Sequence, residues 1–381
     1  MRLCQKLGGG AIESFSSNCF KYTPPTKNVK QIKSLYFRNP RDFQNSSQRH
    51  RIQDPKKPNN VEYEREKSSM QTCGIYFHAD NIIEEIDYII FIDSDDYWEK
   101  SCLKSCVGFM QDSADCEIVW FDWTRFYDDT KEMEESPPRF LPYIESLGRE
   151  EMSSSEFLTI TSKRKLIFAF AHQGIINFAF LRASGVRFLE GVLWEDVFFG
   201  FMLFASAKKI GFLNKKLYAY RIRQNSISRY TNQTTINSLS PNMREIYEVL
   251  GSAYKAREYY KFQGVLKGAL LFAEFIAQHE NNAYNPTKHF YREFSPQDIE
   301  LLKSHFLAGV VVWAISLAPT STKQDVWHML VRFKELLPYL KGVKLGKATA
   351  LKKFILKYPF LIAKFSQLYA LKEKFKDALK K

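Results

Sequence analysis

The sequence lacks long apolar runs. The longest, Phe306 to Ala318 (FLAGVVVWAISLA), is well short of the roughly 20 residues that a membrane-spanning helix needs, and Pro319 follows it directly. The amino-terminal residues, MRLCQKLGGGAIESF, start with basic residues but contain no continuous apolar segment of the kind that signal peptides have. These absences predict a core helix at 306–318 and a protein that stays in the cytoplasm.

Paired cysteine motifs are missing as well. No C-x-x-C pair with ordered histidine partners occurs, although Cys102 and Cys106 are four residues apart and so share a helical face. Buried free thiols are therefore favoured over a zinc site or a disulfide, which is typical of a reducing compartment. The six cysteines all lie in the first third of the chain, at Cys4, Cys19, Cys73, Cys102, Cys106 and Cys116.

Acidic residues are outnumbered by basic ones. The chain has 55 Lys and Arg against 42 Asp and Glu, a net charge of +13. Such a balance favours anionic partners, which include nucleic acid, an anionic membrane surface and phosphorylated substrates. Charge alone does not choose among them.

The positive charge is concentrated at the end of the chain. Residues 341–381 carry twelve lysines against only Glu373 and Asp377. This pattern predicts a basic amphipathic helix on an anionic membrane surface, and the alternative is a helix packed on its own domain with a solvated basic face. Nucleic acid is less favoured, because the lysines lie opposite an apolar stripe. The stripe consists of Leu361, Phe365, Leu368, Leu371, Phe375 and Leu379.

What the sequence does contain is an acidic cluster after its most strand-like segment. In DYIIFIDSDDYW, four apolar residues run directly into Asp93, Asp95 and Asp96. A short apolar, β-branched run predicts a buried strand, and ligands in open α/β sheets gather beyond the carboxyl ends of such strands. Clustered carboxylates raise one another's pKa and repel, so we expect a hard divalent metal ion to neutralise them.

Two later clusters complement these acids. Trp194, Glu195 and Asp196 open an apolar helix, where the helix dipole favours the ionised form of Asp196 that a general base requires. About 25 residues on, the stretch YAYRIRQNSIS provides a set of side chains that suits phosphate oxygens. These are Arg221, Arg223, Ser226 and Ser228.

The distribution of apolar and polar residues along the chain suggests four regions. Residues 1–73 lack sustained apolar periodicity, which predicts a divergent or disordered leader. Residues 74–235 alternate strand-like and helix-like segments, which predicts an α/β catalytic domain. Residues 236–340 show successive helical patterns, which predict a helical domain ahead of the basic tail at 341–381.

Individual elements are predicted from the same periodicity. Strands are expected at DYIIFI and EIVWFDW, and helices at GIYFHADNIIEEI, WEKSCLKSCVGFM and about 154–160. In the helical region the candidates are REIYEVLGSAYKAREYYKF, VLKGALLFAEFIAQ, DIELLKSHFLAGVVVWAISL and DVWHMLVRFKELLPYL.

Together these motifs resemble the family 2 inverting glycosyltransferases with a GT-A fold, especially those that build bacterial lipopolysaccharide or lipooligosaccharide cores. DYIIFIDSDDYW is similar to the family's apolar strand that ends in a D-x-D motif. LEGVLWEDVFFGFMLFASAKKIGFLNKKLYAYRIRQNSIS looks like its Glu-Asp helix, return strand and Arg-containing loop. The resemblance covers about Asp87 to Arg229, and it implies a GT-A-like, Rossmann-related mixed α/β sheet followed by a C-terminal α-helical domain.

The resemblance implies a metal-dependent transfer of a hexose. Asp93 and Asp95 would hold Mn²⁺ or Mg²⁺ on the diphosphate of a nucleotide sugar, with Asp96 adjacent in the same cofactor-binding set. Asp196, with Glu195 beside it, would take the proton from the acceptor hydroxyl as that oxygen attacks the anomeric carbon from the opposite face. One base and one displacement give inversion.

Further residues are implied in substrate binding. Arg221, Arg223 and Ser226 would hold the diphosphate, and Trp194, His172 or Gln173 would line the acceptor pocket. The expected partners are a UDP-sugar, a lipid-linked oligosaccharide acceptor and an anionic membrane surface, without nucleic acid. The protein would lie on the inner face of the bacterial inner membrane.

One part of the family pattern is missing from the sequence. The family begins with a strand of the type I-I-I-P-x-Y-N and has a second strand ending in D-D-G-S. Here QIKSLYF, at 31–37, is the only strand candidate in the leader, and no acidic cluster follows it. A truncated or frame-shifted reading frame is the favoured explanation, ahead of a degenerate, inactive transferase and a divergent nucleotide site.

Other interpretations of the same residues remain open. The acids after the strand also fit a phosphatase of the haloacid dehalogenase type, although that motif wants Thr or Val where this chain has Tyr97. The acidic cluster can instead be a solvated turn, and Glu195 and Asp196 ordinary first-turn acids. Arg221 or Arg223 can be structural, and His172 a core residue.

Overall fold

The structure is a computed structural model of the chain. In the amino-terminal part it describes only the backbone of three strands, at 12–15, 19–22 and 32–37. The remaining described residues are 86–93, 95–135, 140–223, 236, 239–281, 292–319 and 324–361. The helix expected at GIYFHADNIIEEI and the apolar stripe beyond Leu361 lie outside these residues.

A ten-stranded mixed sheet forms the framework of the protein. Its strands follow the order β1-β2-β3-β4-β9-β6-β10-β5, with β7 paired to β6 and β8 to β10. The strands are β1 (Ile12–Phe15), β2 (Cys19–Tyr22), β3 (Ile32–Phe37), β4 (Tyr88–Asp93), β5 (Tyr97–Trp98), β6 (Ile118–Tyr127), β7 (Met133–Glu135), β8 (Glu151–Ser153), β9 (Gly174–Asn177) and β10 (Lys209–Ile222).

Strand direction places several strand ends at one edge of this sheet. β3 is parallel to β4, and β10 is parallel to β6. β9 is antiparallel to both β4 and β6, which makes β4 and β6 parallel to each other. The carboxyl ends of β4, β6 and β10 therefore meet the amino-terminal start of β9 at the same edge.

The predicted strand DYIIFI is confirmed as β4, and its alternating side chains pack on both faces of the sheet. Ile89 and Phe91 join the larger apolar core, whereas Ile90 and Ile92 join a smaller one on the other face. All four are buried. A strand that is covered on both faces has apolar residues at every position, which explains the uninterrupted apolar run before Asp93.

A strand also lies beside β4, although the sequence suggested that the family's first strand is missing. The candidate QIKSLYF is confirmed as β3, and its register runs from Ile32 opposite Tyr88 to Phe37 opposite Asp93. The sheet thus continues past β4 through β3 to β2 and β1. A truncated reading frame stays a prediction.

Helices cover the sheet and extend beyond it. They are α1 (Cys102–Asp112), α2 (Phe140–Ser146), α3 (Ser154–Arg164), α4 (Phe178–Ser184), α5 (Glu195–Ser206), α6 (Pro241–Leu250), α7 (Ala253–Glu280), α8 (Pro296–Leu301), α9 (Ala308–Leu317) and α10 (Thr349–Lys357). A π-helical segment, Leu302–Leu307, joins α8 to α9, and 3-10 segments occupy Met329–Leu340 and Pro359–Leu361. The predicted mixed α/β fold with a following helical region is confirmed.

Local signals account for several helix boundaries. Ser153 and Glu156 form a reciprocal capping box at the start of α3. The sequence pattern predicted one helix through Gly251, but Gly251 adopts a left-handed conformation with φ 65° and ends α6. The later part of this first predicted segment instead merges with the second, VLKGALLFAEFIAQ, into the 28-residue helix α7. The segment around Met329–Leu340, expected as an α-helix, is a 3-10 helix with Pro338 inside it.

The apolar run at 306–318 lies within a longer helical stretch. Pro296–Leu317 spans 22 residues with a mean hydropathy of 1.4, so by length and composition it is the one helix among the described residues that is able to cross a membrane. Phe306, Val310 and Ala314 in this stretch are fully buried in the main core. The stretch packs as a core helix here, as its sequence predicted.

The sheet and the helical region share one continuous apolar core. It extends from Ile86 and Ile89, beside and on β4, to Leu356 on α10. Its centre is a group of aromatic rings around Trp120, in which Phe157, Phe170 and Phe204 pack edge-on or tilted. The domain boundaries at 73, 235 and 340 stay predictions.

The cysteine prediction is confirmed where the structure describes the side chains. Cys102 and Cys106 on α1 and Cys116 before β6 are buried and free. Burial raises the pKa of the Cys102 and Cys116 thiols, so they remain protonated and act as small apolar groups. Cys4, Cys19 and Cys73 have no described side chains.

A buried ion pair fastens the helical region to the sheet. Arg292 donates to the backbone oxygen of Ala205 at 2.7 Å and lies 3.2 Å from Asp298, whose side chain is only 2% exposed. Burial alone would raise the pKa of Asp298, but Arg292 and hydrogen bonds from Ser295 and Ser155 hold it below its ordinary value. This carboxylate therefore stabilises the fold above its unfolded pKa, and its contribution is lost as pH falls through the lowered folded pKa.

Replacing Asp298 by Ala is expected to destabilise the protein by about 3 kcal/mol, because the buried Arg292 guanidinium loses its counter-charge. Chemical denaturation at neutral pH measures this. The matched control is Glu335→Ala, which breaks an exposed ion pair with Arg332 and should cost less than about 1 kcal/mol. Equal losses in the two variants would contradict this role of the Arg292–Asp298 pair.

Candidate active site

The acidic cluster lies at the sheet edge where the ends of β4, β6 and β10 meet. Asp93 is the last residue of β4, and Arg221 lies at the end of β10. The loop before β9 brings His172 to the same edge, and Gly174 permits this because a Cβ there would lie 2.4 Å from the backbone oxygen of Val119. The backbone N–H of Phe170 in this loop donates to the oxygen of Asp196 on α5 at 3.2 Å. The loop that carries His172 is thereby joined to the start of α5.

Asp96 is held by β10. Its two carboxylate oxygens accept one hydrogen bond from the Tyr218 hydroxyl and one, at 2.7 Å, from the backbone N–H of Arg221. Burial raises the pKa of Asp96 to about 7, although both of these hydrogen bonds lower it. Because both oxygens are occupied, Asp96 shapes the loop after β4. Its direct role in binding a cofactor stays a prediction.

The two predicted arginines each pair with a carboxylate. Arg221 donates to Asp128, just beyond β6, at 2.7 Å, and Arg223 donates to Asp95. The Asp128 pKa lies below its ordinary value because Lys131 and Arg221 hydrogen-bond to the carboxylate. Arg223 is 48% exposed on its side chain and Arg221 is 36% exposed. Both guanidinium groups therefore border solvent at the sheet edge, where an anionic ligand can reach them.

His172 lies between the acids of β4 and those of α5. Its ring stacks on the Tyr218 ring with 4.9 Å between centroids. Burial raises the pKa of Asp93 and of Asp196, whereas His172 favours the ionised form of each carboxyl group. Tyr218 is itself buried, and its hydroxyl accepts a hydrogen bond from the backbone N–H of Asp93. Tyr218 thus connects Asp93, Asp96 and His172.

Glu195 and Asp196 begin α5, as the sequence predicted, and they face Asp93. Burial, Asp196 and Asp93 all raise the pKa of Glu195. Asp196 is subject to the same burial, but His172 and backbone N–H groups in the first turn of α5 stabilise its charge. Burial and Asp93 nevertheless raise the pKa of Asp196 above its ordinary value, and His172 offsets only part of this rise.

Trp194 connects this edge to the helical region. It precedes α5 with a left-handed backbone, φ 63°, which is unusual for a bulky residue and requires support from its surroundings. Its ring packs against Trp313 of α9 with 4.6 Å between centroids, and the Lys261 ammonium of α7 lies 5.5 Å from the ring centre. The aromatic surface beside Glu195 is therefore built by residues from both parts of the fold.

Two further residues were predicted for the site, Gln173 and Ser226. Gln173 accepts a hydrogen bond from the Trp120 indole at 3.2 Å, and its backbone oxygen pairs with Phe121. Its side chain thus fastens the loop before β9 to β6, and a role in the acceptor pocket stays a prediction. Ser226 lies outside the described residues.

Sequence reasoning missed four residues of this site: Tyr218, Asp128, Lys261 and Trp313. Tyr218 belongs to the quoted stretch YAYRIRQNSIS, but its odd spacing from Arg221 and Arg223 puts it on the other face of a strand, so the pattern gave no signal for it. The other three lie in segments that carry no motif. Only the folded chain brings them to the sheet edge.

The chemistry of Asp93 and Asp95 fits a hard divalent cation. Their carboxylates repel each other, since Asp95 raises the pKa of Asp93, and carboxylate oxygen is the ligand that Mg²⁺ and Mn²⁺ prefer. Within the part of the chain that the structure describes, no three His, Cys, Asp or Glu side chains form a group that could hold a metal ion. Two carboxylates completed by substrate phosphate oxygens are the arrangement that this donor set supports.

Comparison with known proteins identifies the segment that carries the D-x-D strand. Residues 85–183 match the family model for Glycosyl transferase family 2. Glycosyltransferase GlyA of Streptococcus pneumoniae serotype 4 is 28% identical over 177 residues, which cover 44% of this chain and 23% of that protein. The chain thus spans less than a quarter of the length of this curated relative.

The similarity of this chain to solved structures is weaker than its similarity to the family model. TarS 1–349 of S. aureus in complex with UDP-GlcNAc is 15% identical, with 75% of this chain and 70% of that chain covered, at a TM-score of 0.30. Full-length S. aureus TarS is 14% identical over 64% of this chain and 38% of that chain, at a TM-score of 0.26. These scores are too low to support an argument about this protein.

The match of residues 85–183 to the model for Glycosyl transferase family 2 agrees with the predicted family resemblance of this segment. The lipopolysaccharide-core type and the lack of the family's first strand stay predictions.

Replacing Tyr218 by Phe should lower the free energy of unfolding by about 1–3 kcal/mol, because Asp96 and the backbone N–H of Asp93 each lose a buried partner. Thermal and chemical denaturation measure the loss. The control is Tyr97→Phe, whose exposed hydroxyl meets only the sulfur of Met133 at 3.5 Å. If Tyr218→Phe is as stable as the control, the hydroxyl does not support the acidic edge.

Proposed function

We propose that this protein transfers a sugar from a nucleotide diphosphate sugar to an acceptor hydroxyl, with inversion at the anomeric carbon. The observation that carries the proposal is that β4 ends at Asp93 and α5 begins with Glu195 and Asp196, while Phe91 of β4 packs on Phe199 of α5 with 6.0 Å between ring centroids. A metal-binding acid and a general base must lie on opposite sides of one sugar in such a transfer. The fold brings both to one sheet edge.

Asp196 is the base in this proposal. It takes the proton from the acceptor hydroxyl as that oxygen forms a bond to the anomeric carbon. The bond from the anomeric carbon to the diphosphate breaks, and the nucleoside diphosphate leaves with the electron pair. His172 offsets part of the rise that burial causes in the pKa of Asp196, and burial with the neighbouring carboxylates raises the pKa of Glu195 to about 8.

The diphosphate end of the donor lies against Asp93, Asp95 and the two arginines. Bound Mn²⁺ or Mg²⁺ would neutralise the charge that develops on the leaving diphosphate, with Asp93 and Asp95 as its protein ligands. Arg221 and Arg223 add donors that suit phosphate oxygens, and their pairing with Asp128 and Asp95 fixes where those donors lie.

The acceptor side is formed by Trp194 with Trp313 and Lys261. Aromatic faces bind the apolar faces of sugar rings, and the helical region supplies one of the two tryptophans. A UDP-sugar as donor, and as acceptor a lipid-linked glycan of the lipopolysaccharide or lipooligosaccharide type, are parts of the proposal that rest on the sequence resemblance alone. The decisive assay incubates the purified chain with a panel of UDP-sugars, Mn²⁺ and lipid A core acceptors. Absence of both transfer and UDP-sugar hydrolysis would reject the proposal.

Replacing Asp196 by Asn should lower the rate of transfer by about 10²–10⁴-fold, because the amide keeps the shape but cannot accept the proton. Donor binding, measured by calorimetry with UDP and Mn²⁺, should remain close to that of the unaltered protein. The control is Asp112→Asn at the exposed end of α1. Transfer at an unchanged rate by Asp196→Asn would remove Asp196 from the role of base.

Replacing Asp95 by Asn should abolish the Mn²⁺-dependent part of UDP binding, because one of the two metal-holding carboxylates loses its charge. Calorimetric titrations of UDP with and without Mn²⁺ separate this part from the rest. Arg223→Ala is the matched variant, since it removes the other member of the same ion pair. It should weaken UDP binding with and without metal, and an identical response of the two variants would argue against Asp95 as a metal ligand.

A further inference from the structure

An exposed row of apolar side chains runs along the last described part of the chain. It consists of Leu351, Phe354, Tyr358 and Phe360, here called the aromatic ridge. Leu351, Phe354 and Phe360 are 43%, 46% and 56% exposed. The rings are continuous, with centroids 4.9 Å apart between Phe354 and Tyr358 and 6.2 Å apart between Tyr358 and Phe360. Large apolar side chains that lie side by side in solvent indicate a contact surface.

The ridge is not needed to hold α10 in place. Leu351, Phe354 and Tyr358 follow the three- and four-residue spacing that puts side chains on one helical face. Leu356, on the opposite side of the helix, and Ile355, at the flank of the ridge face, are buried in the main core. α10 is therefore anchored through one face and leaves the other, apolar face in solvent.

The charges within the segment that carries the ridge all have one sign. Residues 341–361 contain six lysines and no Asp or Glu. Two of them, Lys352 and Lys353, donate to the backbone oxygens of Leu345 and Leu340 and so stabilise their own segment. The other four are exposed, and they are Lys341, Lys344, Lys347 and Lys357. The Lys357 ammonium lies 5.4 Å from the centre of the Tyr358 ring, which places positive charge directly at the ridge.

We propose that the aromatic ridge docks onto an anionic lipid bilayer. Its rings lie at the boundary between the headgroups and the acyl chains, and the four exposed lysines lie on lipid phosphates. An apolar stripe bordered only by lysines has the chemistry of helices that lie in a membrane interface. Aromatic side chains are well suited to this depth, because they tolerate the boundary between water and hydrocarbon.

Charge argues against a second copy of the chain as the occupant. In a twofold interface the same surface meets itself, so a lysine-rich segment without acids would face its own lysines. An anionic surface removes this repulsion. The membrane proposal does not depend on the proposed transferase activity, since binding to lipid can be measured without any substrate.

The position of the ridge suits an enzyme whose acceptor is attached to lipid. The 3-10 segment at Met329–Leu340 packs between α10 and α7, with Phe333 against Phe262 on α7. The same stretch of α7 carries Lys261, which contacts Trp194 at the candidate active site. One rigid helix therefore connects the docking surface to the acceptor side of the site.

The test uses the full chain and sedimentation with vesicles of phosphatidylcholine alone or mixed with phosphatidylglycerol. The unaltered protein should sediment with the mixed vesicles only, and less so at high salt. The double variant Phe354→Ser, Phe360→Ser should bind mixed vesicles about tenfold more weakly or worse, because two rings no longer enter the interface. The double variant Lys344→Gln, Lys347→Gln should bind more weakly and lose part of the salt dependence.

Matched controls separate the ridge from general effects of charge and exposure. Tyr254→Ser with Val249→Ser removes apolar side chains that are 47% and 60% exposed elsewhere. Lys163→Gln with Lys215→Gln removes two exposed lysines distant in sequence. Both controls should bind vesicles like the unaltered protein, and circular dichroism should show that every variant is folded.

Several outcomes would overturn the proposal. One is equal vesicle binding by the ridge variant and the unaltered protein, which would assign any membrane contact to another segment. Another is a dimer, detected by light scattering, that the ridge variant alone loses. A third is a gel shift of an oligonucleotide that depends on the ridge while vesicles do not bind.

Discussion

Carboxylate crowding at one edge of the sheet is the constraint around which the rest of the site is arranged. Burial raises the pKa of Asp93, Asp96 and Asp196, and the charge of Asp93 raises the pKa of the other two further. Such groups are tolerated only if donors and cations stabilise their charges. Tyr218 and His172 provide this support from two different segments, which ties β10 and the loop before β9 to the end of β4.

The helical region is part of the same arrangement. Trp194 keeps an unfavourable left-handed backbone immediately before α5, and it is held by Trp313 and Lys261 from the helices. The buried Arg292–Asp298 pair fastens these helices to the layer below. Because the acids of α5 follow Trp194 directly, the position of the candidate base depends on helices that lie far along the chain.

The candidate site and the aromatic ridge are linked by packing within one continuous apolar core. α7 contacts Trp194 near its beginning and supports the 3-10 segment that carries α10. If the ridge binds a bilayer, this connection fixes the height of the site above the lipid surface. A glycan attached to a lipid would then be presented at a distance set by packing and not by a flexible linker.

Local sequence patterns determined much of this protein. The apolar run before Asp93 predicted β4, the first-turn acids predicted the start of α5, and the spaced cysteines predicted buried thiols, because each of these depends on residues close together in the chain. The D-x-D strand also predicted the family of its segment. Helix boundaries were less well predicted: Gly251 ended a helix that the apolar periodicity continued, since its left-handed conformation was invisible in that pattern.

Only the tertiary structure decided how the motifs are completed. Asp96 meets Tyr218 across 122 residues, and Trp194 meets Trp313 on a helix of another region. Gln173, expected in the acceptor pocket, is bound by Trp120 because it directly precedes β9, whose first residue, Gly174, pairs with Trp120 on β6. Such partners follow from strand order and helix packing, which no local periodicity encodes. The sequence by itself therefore determined which acids begin and end the elements, and the fold decided which side chains hold their charges.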